Sequence, residues 1–404
     1  MLNKLQLNKI TNYALLSQGS LILFGLLNVY INTVSLSPSD LGLYYSLAAL
    51  LIVQQFINGG VLANYLALIV KLKSYKTVRF QKYISYIFNY FFFLSPVIFF
   101  ICFSYTRIII TDVDFLIAIL FSLSSALDVL TVWFYPSLEG LGKLKKFYLL
   151  RIIVSLLSYT VSWYVVYTYN SLMGLVCFVF ISSFLKIIFA YSIFFQYIKI
   201  GFSNLKQPKE FVLLAKKIRI TYYAGLIHKL SLYPIINTSL GLEVSGVFGV
   251  ASSIYNSVST LFRELIRKNF KKYGLLSLES SKLLFKSFRK DLLLVNLLYV
   301  FFISLVLILI FLYPKLIDVK DLYLIMILSF IYHISWFNYG QLSHLHRIAG
   351  KEPTSMWTSV YTIIFFLVLF LSLEISQFFN LVSVLTLSIL LLPSIYYTRA
   401  YNTN

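Results

Sequence analysis

Apolar runs of twenty or more residues recur along the whole chain, separated by short polar stretches. This pattern leaves few folds open. Hydrocarbon offers no water to peptide N–H and C=O groups, so a crossing segment must satisfy its own backbone. Runs of about 20 residues, rather than alternating strands of about ten, point to helices. Spans are expected near 13–35, 41–69, 83–103, 115–136, 148–168, 172–198, 218–239, 244–264, 291–313, 322–344, 354–373 and 377–398. The run 41–69 is long for one crossing, and Gly59-Gly60 predicts a kink within it. The first apolar stretch lacks a small-residue cleavage site and runs too long for a signal peptide, so it reads as the first helix. Composition agrees: 59% of the 404 residues are apolar and 12% charged, with a mean hydropathy of +0.84. A soluble domain carries about 25% charged residues.

The charge that remains is unequal, with 34 Lys plus Arg against 14 Asp plus Glu and a net of +20. In a soluble chain this excess would suggest nucleic acid. Here nearly all the basic residues fall in loops between apolar runs, so no nucleic-acid partner is expected. Twenty-nine of the 34 fall on the even-numbered loops and the two ends; only Arg107, Lys315 and Lys320 fall on the other side. Lys186 and Lys229 lie within spans. Basic residues mark the cytoplasmic side, so both termini are expected in the cytoplasm. The loop 265–290 carries Leu275, Leu276, Leu283, Leu284 and Phe288 among its lysines. It reads equally as a helix lying on the anionic inner leaflet or as a solvated basic loop. The N-terminal stretch with Leu2, Leu5 and Ile10 reads the same way. Cys102 and Cys177 sit inside apolar runs, and no His/Cys cluster is present, so neither a disulfide framework nor a metal site is expected.

Six spans precede the basic segment 199–217 and six follow it. The expected organisation is a six-helix bundle over 1–198, a cytoplasmic linker over 199–217 and a second six-helix bundle over 218–404. The stretch 36–44 (LSPSDLGLY) opens the second span, and 240–248 (LGLEVSGVF) opens the eighth. Both place Gly-x-aromatic at the mouth of a helix, at Gly42 and Gly246. An even number of spans per half gives both halves one orientation. The expected fold class is therefore an all-α polytopic membrane protein of about twelve transmembrane helices, its two bundles related by a pseudo-two-fold axis along the membrane normal.

Three local stretches carry a resemblance to a known family: LSPSDLGLYY at 36–45, QQFINGGV at 54–61 and GVFGVA at 246–251. With the topology, they resemble the polysaccharide branch of the multidrug/oligosaccharidyl-lipid/polysaccharide exporter superfamily, in particular the Wzx-type O-antigen flippases. The topology covers the whole chain; the local motifs cover tens of residues. The resemblance implies a bacterial inner-membrane protein that moves an undecaprenyl-diphosphate-linked oligosaccharide from the cytoplasmic to the periplasmic leaflet. No covalent chemistry, enzyme activity or cofactor is implied. Membrane lipids, an H+ or Na+ coupling ion and other polysaccharide assembly proteins are the further partners expected.

Ionisable groups inside a span are costly and usually face a cavity or a partner. Asp128, Lys186, Lys229 with its neighbour His228, and His333 all fall near mid-depth, so they are the candidate substrate-binding residues of a central cavity. Lys186 and Lys229 would meet diphosphate or anionic sugar as mobile point charges. Asp128 would balance a lysine or couple an ion. The competing readings are an Asp128–Lys186 pair that fixes helix packing, and a satisfied packing role for His333. Arg151 and Arg219, at cytoplasmic helix ends, read as interfacial anchors rather than diphosphate contacts. Trp133 and Trp336 are candidate sugar-stacking residues beside Asp128 and His333.

Three rival functions stand beside this one. A cation/drug antiporter of the same superfamily usually carries a carboxylate in its first helix; here that span holds only Gln18, Asn28 and Asn32 as notable polar groups. A polysaccharide polymerase generally carries a large outer loop, and the outer loops here are short. A flippase for another lipid-linked glycan remains open. No G-x-x-x-x-G-K-[ST] sequence is present, which argues against ATP hydrolysis.

Overall fold

A computed structural model of the chain describes residues 4–51, 78–108, 112–201, 241–267 and 281–310, with positions 65, 69, 110, 233, 236–237, 325–327, 329–330, 333–334 and 337–338. All regular structure among the described residues is helical. The helices are α1 (Lys4–Ser35), α2 (Pro38–Leu50), α3 (Val78–Ile108), α4 (Phe115–Val129), α5 (Phe134–Gly140), α6 (Leu144–Tyr169), α7 (Met173–Phe194), α8 (Leu242–Arg267) and α9 (Ser281–Ile310). Among the described residues, four helical segments are long and apolar enough to cross a membrane: Val78–Ile108, Phe115–Gly140, Leu144–Tyr169 and Met173–Tyr197.

Several spans differ from their expected limits, each for a local reason. The N-terminal stretch is continuous with the first span as α1, which starts at Lys4. The last residues of the basic loop are likewise helical, since α9 begins at Ser281 rather than near 291. A helix can leave the apolar layer without unwinding, because its backbone bonds are internal. The fourth span is broken between α4 and α5. Pro136 lacks an N–H and its ring crowds the carbonyl of Val132, so the chain tightens over 130–133. Thr131 N–H donates to the Asp128 carbonyl at 3.0 Å, and Phe134 N–H to that of Thr131 at 2.9 Å. In α3, Pro96 leaves the Phe92 carbonyl without its usual donor, and the Ser95 hydroxyl supplies one at 3.0 Å.

The chain divides into two compact units, one of Met1–Phe24 with Ser46–Pro234 and one of Gly25–Tyr45 with Ile235–Asn404. In the first unit α4 packs on α3 and α7, and α7 packs on α6. Small and hydroxyl residues line these helix pairings: Ser122, Ser125, Ser158, Ser162 and Ser183 are fully buried, while Phe92, Phe100, Leu123, Tyr164 and Phe184 are exposed. That is the membrane arrangement, where bulky apolar groups face lipid and small residues let helices approach. Ser85 and Asn89 of α3 clasp the segment after α7. The Lys199 N–H donates to Ser85 Oγ at 3.0 Å, Asn89 Nδ2 donates to the Lys199 carbonyl at 2.7 Å, and the Gly201 N–H donates to Asn89 Oδ1 at 2.9 Å. The first half of α1 joins this unit through Phe24, whose ring meets those of Tyr159 and Trp163 at 6.0 and 6.1 Å.

In the second unit α8 packs on α9, and the segment Gly25–Tyr45 joins them. Here α2 crosses α8 at closest range. A side chain at Gly42 would run into the Leu242 carbonyl, and one at Gly246 into the Pro38 carbonyl. One at Gly249 would run into the Tyr45 ring. One sequence offset relates 38 to 242, 42 to 246 and 45 to 249, so the 42–242 and 246–38 contacts are counterparts of each other and the 45–249 contact is its own. A self-complementary contact of this kind is what a two-fold relation produces. It ties the sequence repeat to a physical crossing. Gly42→Leu should therefore destabilise the purified protein by about 1–3 kcal/mol, as overpacking does. Gly19→Ala, where nothing lies within 4 Å, should be neutral or slightly stabilising. Thermal unfolding in detergent checks both.

Candidate functional site

Asp114 starts α4 by accepting the N–H groups of Leu116 and Ile117 at 2.8 and 3.3 Å. That cap sets the helix register, which carries Asp128 to the last turn, just before the break. Lys186 and Ser183 lie one turn apart on α7, hence on one face. Because α4 and α7 pack together, the two meet the same carboxylate oxygen. Lys186 Nζ lies 2.5 Å from Asp128 Oδ1, and Ser183 Oγ donates to it at 3.0 Å. The Ser183 hydroxyl also reaches the Val179 carbonyl at 2.7 Å. The side chains of Lys186 and Asp128 keep 15% and 17% exposure, so the pair is neither sealed nor freely solvated. Arg151, at the start of α6, and Asp128 both act electrostatically on Tyr135 beside the break. In the turn before α6, burial, followed by the charge of Lys146, holds Lys143 below the usual lysine range.

The other candidates fall elsewhere. His333 belongs to the second unit, where its Nε2 lies 2.9 Å from Ser252 Oγ. Its ring meets those of Tyr255 and Phe248 at 5.5 and 6.1 Å. The Tyr255 hydroxyl donates to the Met326 carbonyl at 2.8 Å, and the Tyr299 hydroxyl to the Tyr255 carbonyl at 3.2 Å. Lys229, His228, Arg219 and Trp336 lie outside the described residues. Trp133 is not available to a sugar. It is 1% exposed, its ring meets Phe88 and Phe194, and its Nε1 donates to the Leu130 carbonyl at 2.6 Å. Beside the break, this ring sits in the aromatic core of the first unit. Arg151 lies 6.0 Å from the Phe147 ring centroid. Ser183 and Ser252 were not singled out from sequence. The spacing of Ser183 to Lys186 is a usable signal; Ser252 has none.

These features define a class of fold: an all-α polytopic membrane fold with the helices of each half repeated in parallel. No protein-family model matches the chain, and no curated protein matches it by sequence. Solved structures do match by fold. The lipid II flippase MurJ in an inward closed conformation is 13% identical, with 98% of this chain and 87% of that one covered at a TM-score of 0.71. An inward-facing MATE-family multidrug transporter is 14% identical, with 94% of each chain covered at 0.65. A eukaryotic MATE transporter is 12% identical, with 99% and 96% covered at 0.54. The chain thus has the twelve-helix, two-lobe fold of these proteins, and the fold class expected from sequence holds.

Removing one member of the Asp128–Lys186 pair leaves the other charge inside the bundle. Lys186→Met should lower stability by up to about 3–5 kcal/mol, less to the extent that water reaches the pair. Lys186→Met with Asp128→Leu should recover most of that loss. Unfolding of the two variants side by side checks it.

Proposed function

We propose that this protein is a flippase that carries an undecaprenyl-diphosphate-linked O-antigen repeat unit from the cytoplasmic to the periplasmic leaflet of a bacterial inner membrane, by alternating access. The observation that carries this reading is the fold shared with a lipid-linked flippase over nearly the whole chain. The three family-like stretches at 36–45, 54–61 and 246–251 favour the polysaccharide branch. The charge pattern supports both termini in the cytoplasm. Lys229 and Lys186 are the proposed diphosphate contacts, with His228, His333 and Asp128 as the remaining polar groups of the cavity. Lysine suits this task, because a cargo that must leave is better held by a mobile point charge than by a rigid bidentate fork. The membrane potential favours the direction. Export of about two negative charges through 100 mV gains roughly 4–5 kcal/mol if they cross the whole field. The proposed division into bundles 1–198 and 218–404 about the linker 199–217 gives the two bodies that rock.

A second reading, a cation/drug antiporter, draws on the MATE neighbours. It is disfavoured by the placement of charge. Asp128 is already matched by Lys186, and the first helix holds no carboxylate.

Deleting the gene in its source strain, with plasmid rescue, tests the proposal. Surface polysaccharide and undecaprenyl-linked intermediates are read together. Single repeat units held on the inner leaflet, with surface polymer lost, are expected. Unchanged polysaccharide with altered drug resistance would replace the proposal with the antiporter reading. In the rescue plasmid, Lys229→Ala should abolish export at normal membrane abundance and Lys229→Arg should retain part of it. Near-normal export by the alanine variant would remove Lys229 from the mechanism.

A further inference from the structure

The Asp128–Lys186 pair of the first unit is built with capacity to spare. Both of its contacts fall on one carboxylate oxygen. Lys186 Nζ lies 2.5 Å from Asp128 Oδ1, and Ser183 Oγ donates to the same atom at 3.0 Å. Among the described residues nothing meets Asp128 Oδ2, and Lys186 Nζ meets nothing beyond Oδ1. An ammonium has several donors and a carboxylate a second accepting oxygen, so both groups keep capacity unused. A pair kept only to fix packing repays its desolvation through such extra hydrogen bonds. Here the side chains instead keep 15% and 17% exposure. The Ser183 hydroxyl has a single proton to share between Asp128 Oδ1 at 3.0 Å and the Val179 carbonyl at 2.7 Å. It can therefore give that proton wholly to Asp128 when Lys186 withdraws.

We propose that Asp128 is an internal stand-in for a phosphate group of the cargo: it holds Lys186 in the unloaded protein and yields it when a diphosphate arrives. The exchange is like for like. A phosphate offers lysine the same kind of anionic oxygen as a carboxylate does, in a charge-assisted hydrogen bond. Asp128 then keeps the Ser183 hydroxyl as its partner. No covalent bond forms or breaks. In the unloaded protein the matched pair leaves the span neutral at this point, which spares the cost of a lone ammonium in hydrocarbon. On release the carboxylate returns, so it competes with the cargo and keeps binding reversible. A site whose lysine is free for about a tenth of the time binds about ten-fold more weakly for it. Asp128 thus sets affinity without touching the cargo. This inference rests on the reading of Lys186 as a diphosphate contact, and adds what controls that contact.

The test uses the full chain, purified into nanodiscs of phosphatidylcholine. Farnesyl diphosphate, farnesol and inorganic pyrophosphate are each titrated by calorimetry. The wild type should bind farnesyl diphosphate and not farnesol. Asp128→Asn, which frees Lys186 at nearly the same size, should bind about ten-fold more tightly. Ser183→Ala, which strips Asp128 of its partner in the loaded state, should bind several-fold more weakly. Lys186→Met with Asp128→Leu should fold and bind at least about ten-fold more weakly than the wild type. Equal or weaker binding by Asp128→Asn, or equal or tighter binding by Ser183→Ala, would overturn the proposal. So would a double variant that binds like the wild type, or no binding by any of the four proteins. If Asp128→Asn is not recovered as a monodisperse protein, the serine and double variants decide. This order of affinities supports the exchange with either ligand. Seen with pyrophosphate too, it assigns the site to the free anion as well; seen with farnesyl diphosphate alone, it assigns the site to a lipid-borne one. The order can fail while the deletion phenotype stands, and the deletion phenotype can fail while the order stands.

Discussion

Everything in this molecule follows from the cost of an unsatisfied polar group in hydrocarbon. Backbone groups escape it by forming helices, and the described spans do so almost throughout. Where proline removes a donor, a substitute appears within the same turn. Ser95 covers the carbonyl freed by Pro96, while a run of tight i→i+3 bonds carries the chain through the break before Pro136. Apolar side chains gain nothing from meeting each other rather than lipid, so they do not drive assembly here. Helix contact depends instead on small residues, buried hydroxyls and a few polar clasps.

The same cost explains where charge can sit. Asp128 lies inside a span, and the chain answers it from α7 with both an ammonium and a hydroxyl. The pair is placed beside a helix break, where the backbone is already irregular, and its side chains keep partial exposure. That is the usual location for polar function in a membrane bundle, since irregular backbone is tolerated only inside protein or along a wet cavity. Trp133 shows the other consequence of the break. The turn that frees the backbone also swings its ring into the core, where Phe88 and Phe194 receive it.

The repeat becomes a physical contact at the crossing of α2 and α8. A self-complementary contact built on glycine is close and dry, and it leaves no room for adjustment.

Much of this was legible in the amino-acid order. The length of the apolar runs dictated helices, the confinement of lysine and arginine to alternate loops dictated the span count, and the parallel of 36–44 with 240–248 pointed to the repeat. Each of these is local, or a sum over local features, and needs no knowledge of which helices touch. Partner choice was not legible in that way. That Asp128 is met by Lys186 and Ser183 depends on α4 packing against α7; that Trp133 turns inward depends on the break; that Gly42 and Gly246 face each other's helices, rather than lipid, depends on the crossing itself. The hydrophobic pattern alone could not reveal these, because a helix surrounded by lipid is apolar on every side. Its amino-acid order then says that it crosses the membrane, and only the packed structure decides which face meets which neighbour.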